Sequence, residues 1–216
     1  MSEVVSEPIG PAAARPNKHS TGHRLRLLEG MTAAVARKSY PAVTIADVVA
    51  EAGVSKRTFY EHFTSKEDCL LACYVEGSGA LMAVLRPHLA IEAGRGSPTR
   101  IEAVLDTYLG FLDRAPQMAA TLMIEVQRSG PAGRRIYRRY NLELARLILD
   151  SVTTGPDGFD LDQAVALVGG LNELVLRHAE DHPDQPFSAL GPIMLRFVRA
   201  VIGSQSRPRA SRRLSR

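Results

Sequence analysis

A short run of polar side chains stands out: Ser55, Lys56, Arg57, Thr58, Tyr60 and His62, with Thr44 before it and Lys66 after it. The set offers cations, hydroxyls and one imidazole, and its spacing suggests no nucleophile, base and orienting group arranged for acyl or phosphoryl chemistry. Its chemistry is recognition of a polyanion. Ammonium and hydroxyl groups meet phosphates, and a guanidinium set against a base edge can bond O6 and N7 of a guanine together.

Helices must hold these side chains, and the local signals for them agree. Thr44 is a good N-cap, since its hydroxyl can accept from backbone N–H groups just ahead of it. Ile45, Val48, Val49 and Ala52 then recur at helical spacing and form one apolar stripe. At Ala52-Gly53-Val54 the chain turns, and Gly53 is where a positive φ is expected. Ser55 caps a second short helix, whose inner face is Phe59 and Phe63, four residues apart. Lys56, Arg57 and Tyr60 fall on a different arc and stay outside. Glu61 lies on the Arg57 side and reads as a solvated or pairing acid. Thr64 and Ser65 close this helix and cap the next, with Glu67 or Asp68 placed to complete a capping box.

The run from Ala52 to Glu67, AGVSKRTFYEHFTSKE, closely resembles the helix-turn-helix signature of the TetR/AcrR transcriptional regulators, over about Arg24 to Leu71. That resemblance implies a recognition helix whose Lys56, Arg57 and Thr58 point at base edges in the major groove. It also implies phosphate contacts from Thr44, Tyr60, His62 and Lys66, with Ser55 among the DNA-binding positions. Caps alone would equally explain Thr44 and Ser55, and a packed ring would explain His62.

Charge follows the same division. Between Lys18 and Lys66 eight basic residues face four acids, and Arg207 to Arg216 holds five arginines and no acid, in a chain of net charge +4. The remainder is therefore acidic by five charges, so positive charge gathers where phosphates would be met. The arginine-rich end could add non-specific DNA affinity or simply solvate. With 216 residues the chain can hold a small DNA-binding unit and a larger helical domain. No run approaches the roughly 20 apolar residues of a membrane span, and the N-terminus lacks the apolar core of a secretory signal. A cytoplasmic protein without a membrane partner is expected. Two cysteines, Cys69 and Cys73, are too few for a disulfide framework and read as ordinary buried thiols. The scattered histidines give no metal spacing, and no cofactor is expected.

The expected organisation is a disordered tail over 1–20, a helix-turn-helix domain over 21–68, a helical effector-binding and dimerisation domain over 69–205, and a basic disordered tail over 206–216. The fold class is all-α with about nine helices. The first spans about 21–39 and the fourth about 66–85, ended by Arg86-Pro87. A loop at Gly94–Pro98 precedes helices at about 99–114, 116–128, 132–153, 161–181 and 187–204, with Gly155-Pro156 as a further break.

The middle helices resemble the sensor of the family, so a small hydrophobic or amphipathic ligand is implied. Tyr108, Leu112, Met123, Gln127, Tyr140, Asn141, Asn172, Glu173 and His178 are its candidate contacts, with Glu125 a further polar candidate. The last two helices carry broad apolar surfaces for a homodimer: Val165, Val168, Gly169, Leu171 and Leu174 on one, and Ile193, Met194, Phe197 and Val201 on the other. Gly169-Gly170 would let another helix approach. The expected function is a repressor that binds a palindromic double-stranded operator and is released by its ligand. The alternatives are an effector-less DNA-binding dimer, controlled by a partner protein or by abundance, and an enzyme whose site leaves no mark in the sequence.

Overall fold

The computed structural model describes residues 18–90, 98–152 and 159–203. Among the described residues the fold is all-α. Helix α1 (Lys18–Arg37) leads through a 3-10 turn (Tyr40–Ala42) to α2 (Ile45–Ala52), α3 (Lys56–His62) and the long α4 (Lys66–Ala90). After these come α5 (Pro98–Asp113), α6 (Pro116–Arg128), α7 (Pro131–Ser151), α8 (Leu161–Asp181), a second 3-10 turn (Phe187–Leu190) and α9 (Gly191–Gly203). Because α1 begins at Lys18, it starts inside the expected tail. The rest of that tail, the loop from Gly94 up to but not including Pro98, the break at Gly155-Pro156, and residues 206–216 lie outside the described residues.

Two apolar clusters organise the chain. The first joins Leu27, Met31, Val48, Phe59, Phe63, Cys69 and Leu70 of α1 to α4 with Leu122 and Val126 of α6. The second joins Leu85 and Leu89 of α4 to α5, α7, α8 and α9 around Leu109, Leu167, Val175 and Met194. Helix α4 therefore runs through both, and α6 reaches back into the first. By length and composition α4 is also apolar enough to cross a membrane, which the sequence reading did not expect. Its apolar side chains serve these two cores instead.

Two boundaries differ from expectation for physical reasons. Helix α4 continues past Arg86-Pro87 to Ala90. A proline this close to a helix end removes one backbone bond with little helix left to distort. The last helix starts as a 3-10 turn, because Pro186 at its N-cap has no acceptor side chain. Its N–H groups find one elsewhere: Asp113 at the end of α5 accepts from Phe187 N at 2.5 Å and from Ser188 N at 3.1 Å.

Candidate nucleic-acid interface and internal cavity

The polar run sits where its caps dictate. Thr44, in extended backbone, accepts at Oγ1 from Asp47 N at 3.2 Å, while the Asp47 carboxylate accepts from Thr44 N at 2.9 Å and from the Thr44 hydroxyl at 2.7 Å. Lys38 of the α1 end donates to the same carboxylate at 2.6 Å. Gly53 closes α2 at φ 60°, the left-handed turn that favours glycine. Ser55 Oγ then accepts from Thr58 N at 3.1 Å and lies 3.0 Å from Thr58 Oγ1. Phe59 and Phe63 are buried with ring centroids 5.7 Å apart, and they hold α3 against the core.

That packing turns the other side of α3 outward. Lys56, Arg57 and Tyr60 are exposed, Thr58 and His62 half-buried. The Arg57 side chain is 90% exposed and its Nε donates to Glu61 at 3.3 Å. An exposed pair one helical turn apart is worth about 0.3–0.5 kcal/mol. A bidentate contact to guanine is worth about 1–3 kcal/mol, so Glu61 parks the guanidinium without preventing it from reaching a base. Of the other cations on this unit, Arg24 pairs with Glu76, Arg37 with Glu51 and Lys38 with Asp47. The basic excess is thus partly spent inside the protein, while on α3 Lys56 makes no salt bridge among the described residues and Arg57 holds only its exposed pair with Glu61.

Lys66 is placed differently from its neighbours. Its ammonium donates to the carbonyls of Tyr40, Pro41 and Val43 at 3.1, 3.3 and 2.7 Å and stands 4.6 Å from the Tyr40 ring centre. A phosphate contact would have to take over one of those bonds. The two thiols are buried against α1: Cys69 Sγ donates to Leu27 O at 3.8 Å and Cys73 Sγ to Leu28 O at 3.4 Å. The hydrogen bond with Cys73 and then burial push the Cys69 thiol up, so it stays protonated.

The Asp47 carboxyl is held well below the usual carboxylate range, first by Lys38 and then by Thr44. A depressed native pKa stabilises the fold above the unfolded pKa of about 3.9 and loses that contribution as pH falls through and below it. In urea titrations, Asp47→Asn is therefore expected to be less stable than the parent at pH about 6, with the gap closing below pH about 4. Parallel stability curves would remove this role.

A cavity of about 280 Å³ opens between α4, α5, α6, α7 and α8. Leu81, Met82, Phe111, Leu112, Leu122, Met123 and Leu144 give it apolar walls, and Tyr74, Ser78, Tyr108, Tyr140, Asn141 and Asn172 its polar atoms. Asn172 Nδ2 donates to Tyr137 Oη and to Asn141 Oδ1, both at 3.2 Å. Burial raises the Tyr74 and Tyr108 phenols, which keeps them neutral. Arg114 is the one charged lining residue among the described residues.

Residues 27–73 match the family described as bacterial regulatory proteins, tetR family. These residues form a TetR-family DNA-binding domain. Over 168 residues the chain is 25% identical to the nucleoid occlusion factor SlmA of Photorhabdus laumondii, covering 71% of this chain and 82% of that protein. The whole fold is shared more widely. The fatty acid degradation regulator FadR of Bacillus halodurans superposes with TM-score 0.69 at 15% identity, over 94% of this chain and all of that one. The transcriptional regulator FadR of Bacillus subtilis, in complex with stearoyl-CoA, gives TM-score 0.67 at 17% identity, over 82% and 97%. Both superposed proteins are named as regulators.

Within the TetR-type fold, the cavity gathers Tyr108, Leu112, Met123, Tyr140, Asn141 and Asn172 of the expected contacts. Gln127, Glu173 and His178 lie outside it. Gln127 Nε2 donates back along α6 to Met123 O at 2.9 Å, and Glu173 is on the exposed face of α8. His178 is buried between the carbonyls of Gln185 and Pro186, at 3.3 and 3.1 Å from Nε2, and packs on Phe187. Glu125 faces the DNA-binding domain instead: its carboxylate accepts from Tyr40 N at 3.0 Å and from Arg128 at 2.8 Å. Sequence reasoning missed the α4 wall, where Tyr74, Ser78 and Leu81 repeat at helical spacing but none was among the expected contacts.

The expected interface divides similarly. Val168, Leu171 and Met194 are buried within the chain's own core and so cannot form an outer surface. Val165, Gly169 and Ile193 are exposed, and Leu174, Phe197 and Val201 half-buried. Gly170 is already filled from within, since a Cβ there would lie 2.6 Å from Phe197 Cζ, whereas Gly169 is open.

Proposed function

We propose that this chain is a homodimeric, ligand-released repressor of TetR type, acting on a palindromic operator in the cytoplasm. The observation that carries the reading is the pair of helices shared by cavity and DNA-binding unit. Helix α4 starts directly after the recognition helix and lines the cavity with Tyr74 to Met82. Helix α6 lines it with Leu122 and Met123 while packing Val126 into the core of the DNA-binding unit. A ligand that favours one setting of these helices biases the other end by its differential affinity.

In this reading residues 21–68 read DNA, and residues 69–205 bind the effector and dimerise. Lys56, Arg57 and Thr58 address bases. Thr44, Ser55, Tyr60, His62 and Lys66 fix register on phosphates. Val165, Gly169, Ile193 and Phe197 offer the outer face of α8 and α9 for a second copy. Two recognition helices related by a two-fold axis then require a palindrome.

Enrichment of genomic fragments on the purified protein at about physiological salt tests the DNA role. One enriched palindrome is expected. With Arg57→Ala, affinity for it falls by about 1–3 kcal/mol and preference relaxes at one position of each half-site. Equal weakening on every sequence would remove Arg57 from base reading, and diffuse enrichment by the parent protein would overturn the operator reading.

A second reading is favoured by the relatives named as nucleoid occlusion factors: an effector-less DNA-binding dimer that acts along the chromosome. It predicts many enriched copies of the palindrome dispersed over the genome and no dependence on small molecules. The cavity argues against it.

A further inference from the structure

Resting on the reading of the cavity as the effector site, we infer that its ligand is an apolar molecule with a hydrogen-bond-accepting, preferably anionic, head group, and not a cation. The polar atoms left over inside point to this. Both Asn172 Nδ2 protons are engaged, on Tyr137 and on Asn141 Oδ1. No hydrogen bond joins the Tyr108 or Tyr140 hydroxyl, or the Asn141 side-chain NH2, to another described residue. Tyr108 is buried by its neighbours, and its neutral phenol can donate to a cavity occupant. The capacity left over is weighted towards donors: the Asn141 NH2 and two hydroxyls that can also accept, against the one Asn172 side-chain oxygen.

Charge points the same way. Among the described residues no carboxylate lines the cavity, and the exposed Arg114 does. The acids next to lining residues in sequence are placed elsewhere: Asp113 on the N–H groups of Phe187 and Ser188, Glu125 on Tyr40 and Arg128, Glu143 4.0 Å from Arg139, and Glu173 on the exposed face of α8. A cation would have to rely on tyrosine ring faces. Those are partly taken: Arg139 lies 5.1 Å from the Tyr140 ring centre, and Tyr74 packs against Tyr140 and Tyr137 at 6.0 and 6.1 Å.

The test is calorimetric titration of the full-length protein with decanoate, methyl decanoate and decyltrimethylammonium, which share an alkyl chain and differ in head group. Decanoate is expected to bind at least about tenfold tighter than the ammonium, with the ester between them. Tyr108→Phe weakens decanoate and the ester by about fivefold to tenfold and leaves the ammonium unchanged. Arg114→Ala, an exposed change that spares the fold, weakens decanoate alone. Equal or tighter binding of the ammonium overturns the head-group assignment while leaving the effector site standing. Binding of none of the three by a protein with an intact melting transition overturns both.

Discussion

Gly133→Ala is expected to lower stability by about 3 kcal/mol or more, which at this chain length shifts the melting temperature by roughly 6–12 °C. Gly133 lies in the first turn of α7, where the α6–α7 hairpin closes. A Cβ there would fall 1.8 Å from Val126 O and 2.3 Å from Ser129 Oγ. The first is a backbone atom, already bonded by the Ser129 hydroxyl at 2.8 Å, so no rotamer change relieves it. The hairpin has to open and α6 has to shift. Val126 is fully buried in the core of the DNA-binding unit, while Leu122 and Met123 line the cavity, so both sites move with it. Gly110→Ala is the control: nothing lies within 4 Å of its Cβ, and in a helix the change is expected to stabilise by about 0.5–1 kcal/mol. Thermal melts followed by circular dichroism compare the two directly. A Gly133→Ala protein that melts with the parent would mean that the hairpin closes less tightly than described.

The difference between these glycines also shows where sequence reading reaches its limit. The helix-turn-helix was legible because its determinants are local. Thr44 caps three residues ahead, Gly53 needs its own φ, and Phe59 and Phe63 meet on one face. Gly133 and Gly110 look alike in sequence, because what separates them is the neighbouring carbonyl. Distance in sequence hid Lys66 too, whose carbonyl partners lie more than twenty residues earlier. The apolar stripe of α8 was correctly seen, but periodicity cannot tell a stripe facing its own core from one facing a second copy. Val168 and Leu171 went inside, whereas Val165 and Gly169 stayed out. The cavity was half legible for the same reason. Aromatic residues on α5 and α7 marked it, whereas Tyr74 and Ser78 on α4 were not among the expected contacts.

Glu125 was read as a residue facing a ligand, and its real position yields the other large effect. The residue is 4% exposed, and one of its carboxylate oxygens takes the Tyr40 N–H, 85 positions away in sequence. Tyr40 opens the 3-10 turn whose carbonyls hold Lys66 and which leads into the Thr44 cap. One carboxylate therefore connects α6, a wall of the cavity, to the entry of the helix-turn-helix. Glu125→Ala leaves a buried N–H without a partner, at a cost of about 1–3 kcal/mol or roughly 2–12 °C in melting temperature. Arg128 is mostly exposed and turns to water, so its loss adds little. Glu125→Gln keeps an acceptor for Tyr40 and is expected to recover part of the deficit. Stability alone does not separate a packing role from a coupling role; operator affinity does. If Glu125 transmits the setting of α6, the alanine variant binds operator with weaker dependence on cavity occupancy at a temperature where it remains folded. If the melting temperature does not move, or if ligand still shifts operator affinity as far as in the parent, the connection runs through α4 alone.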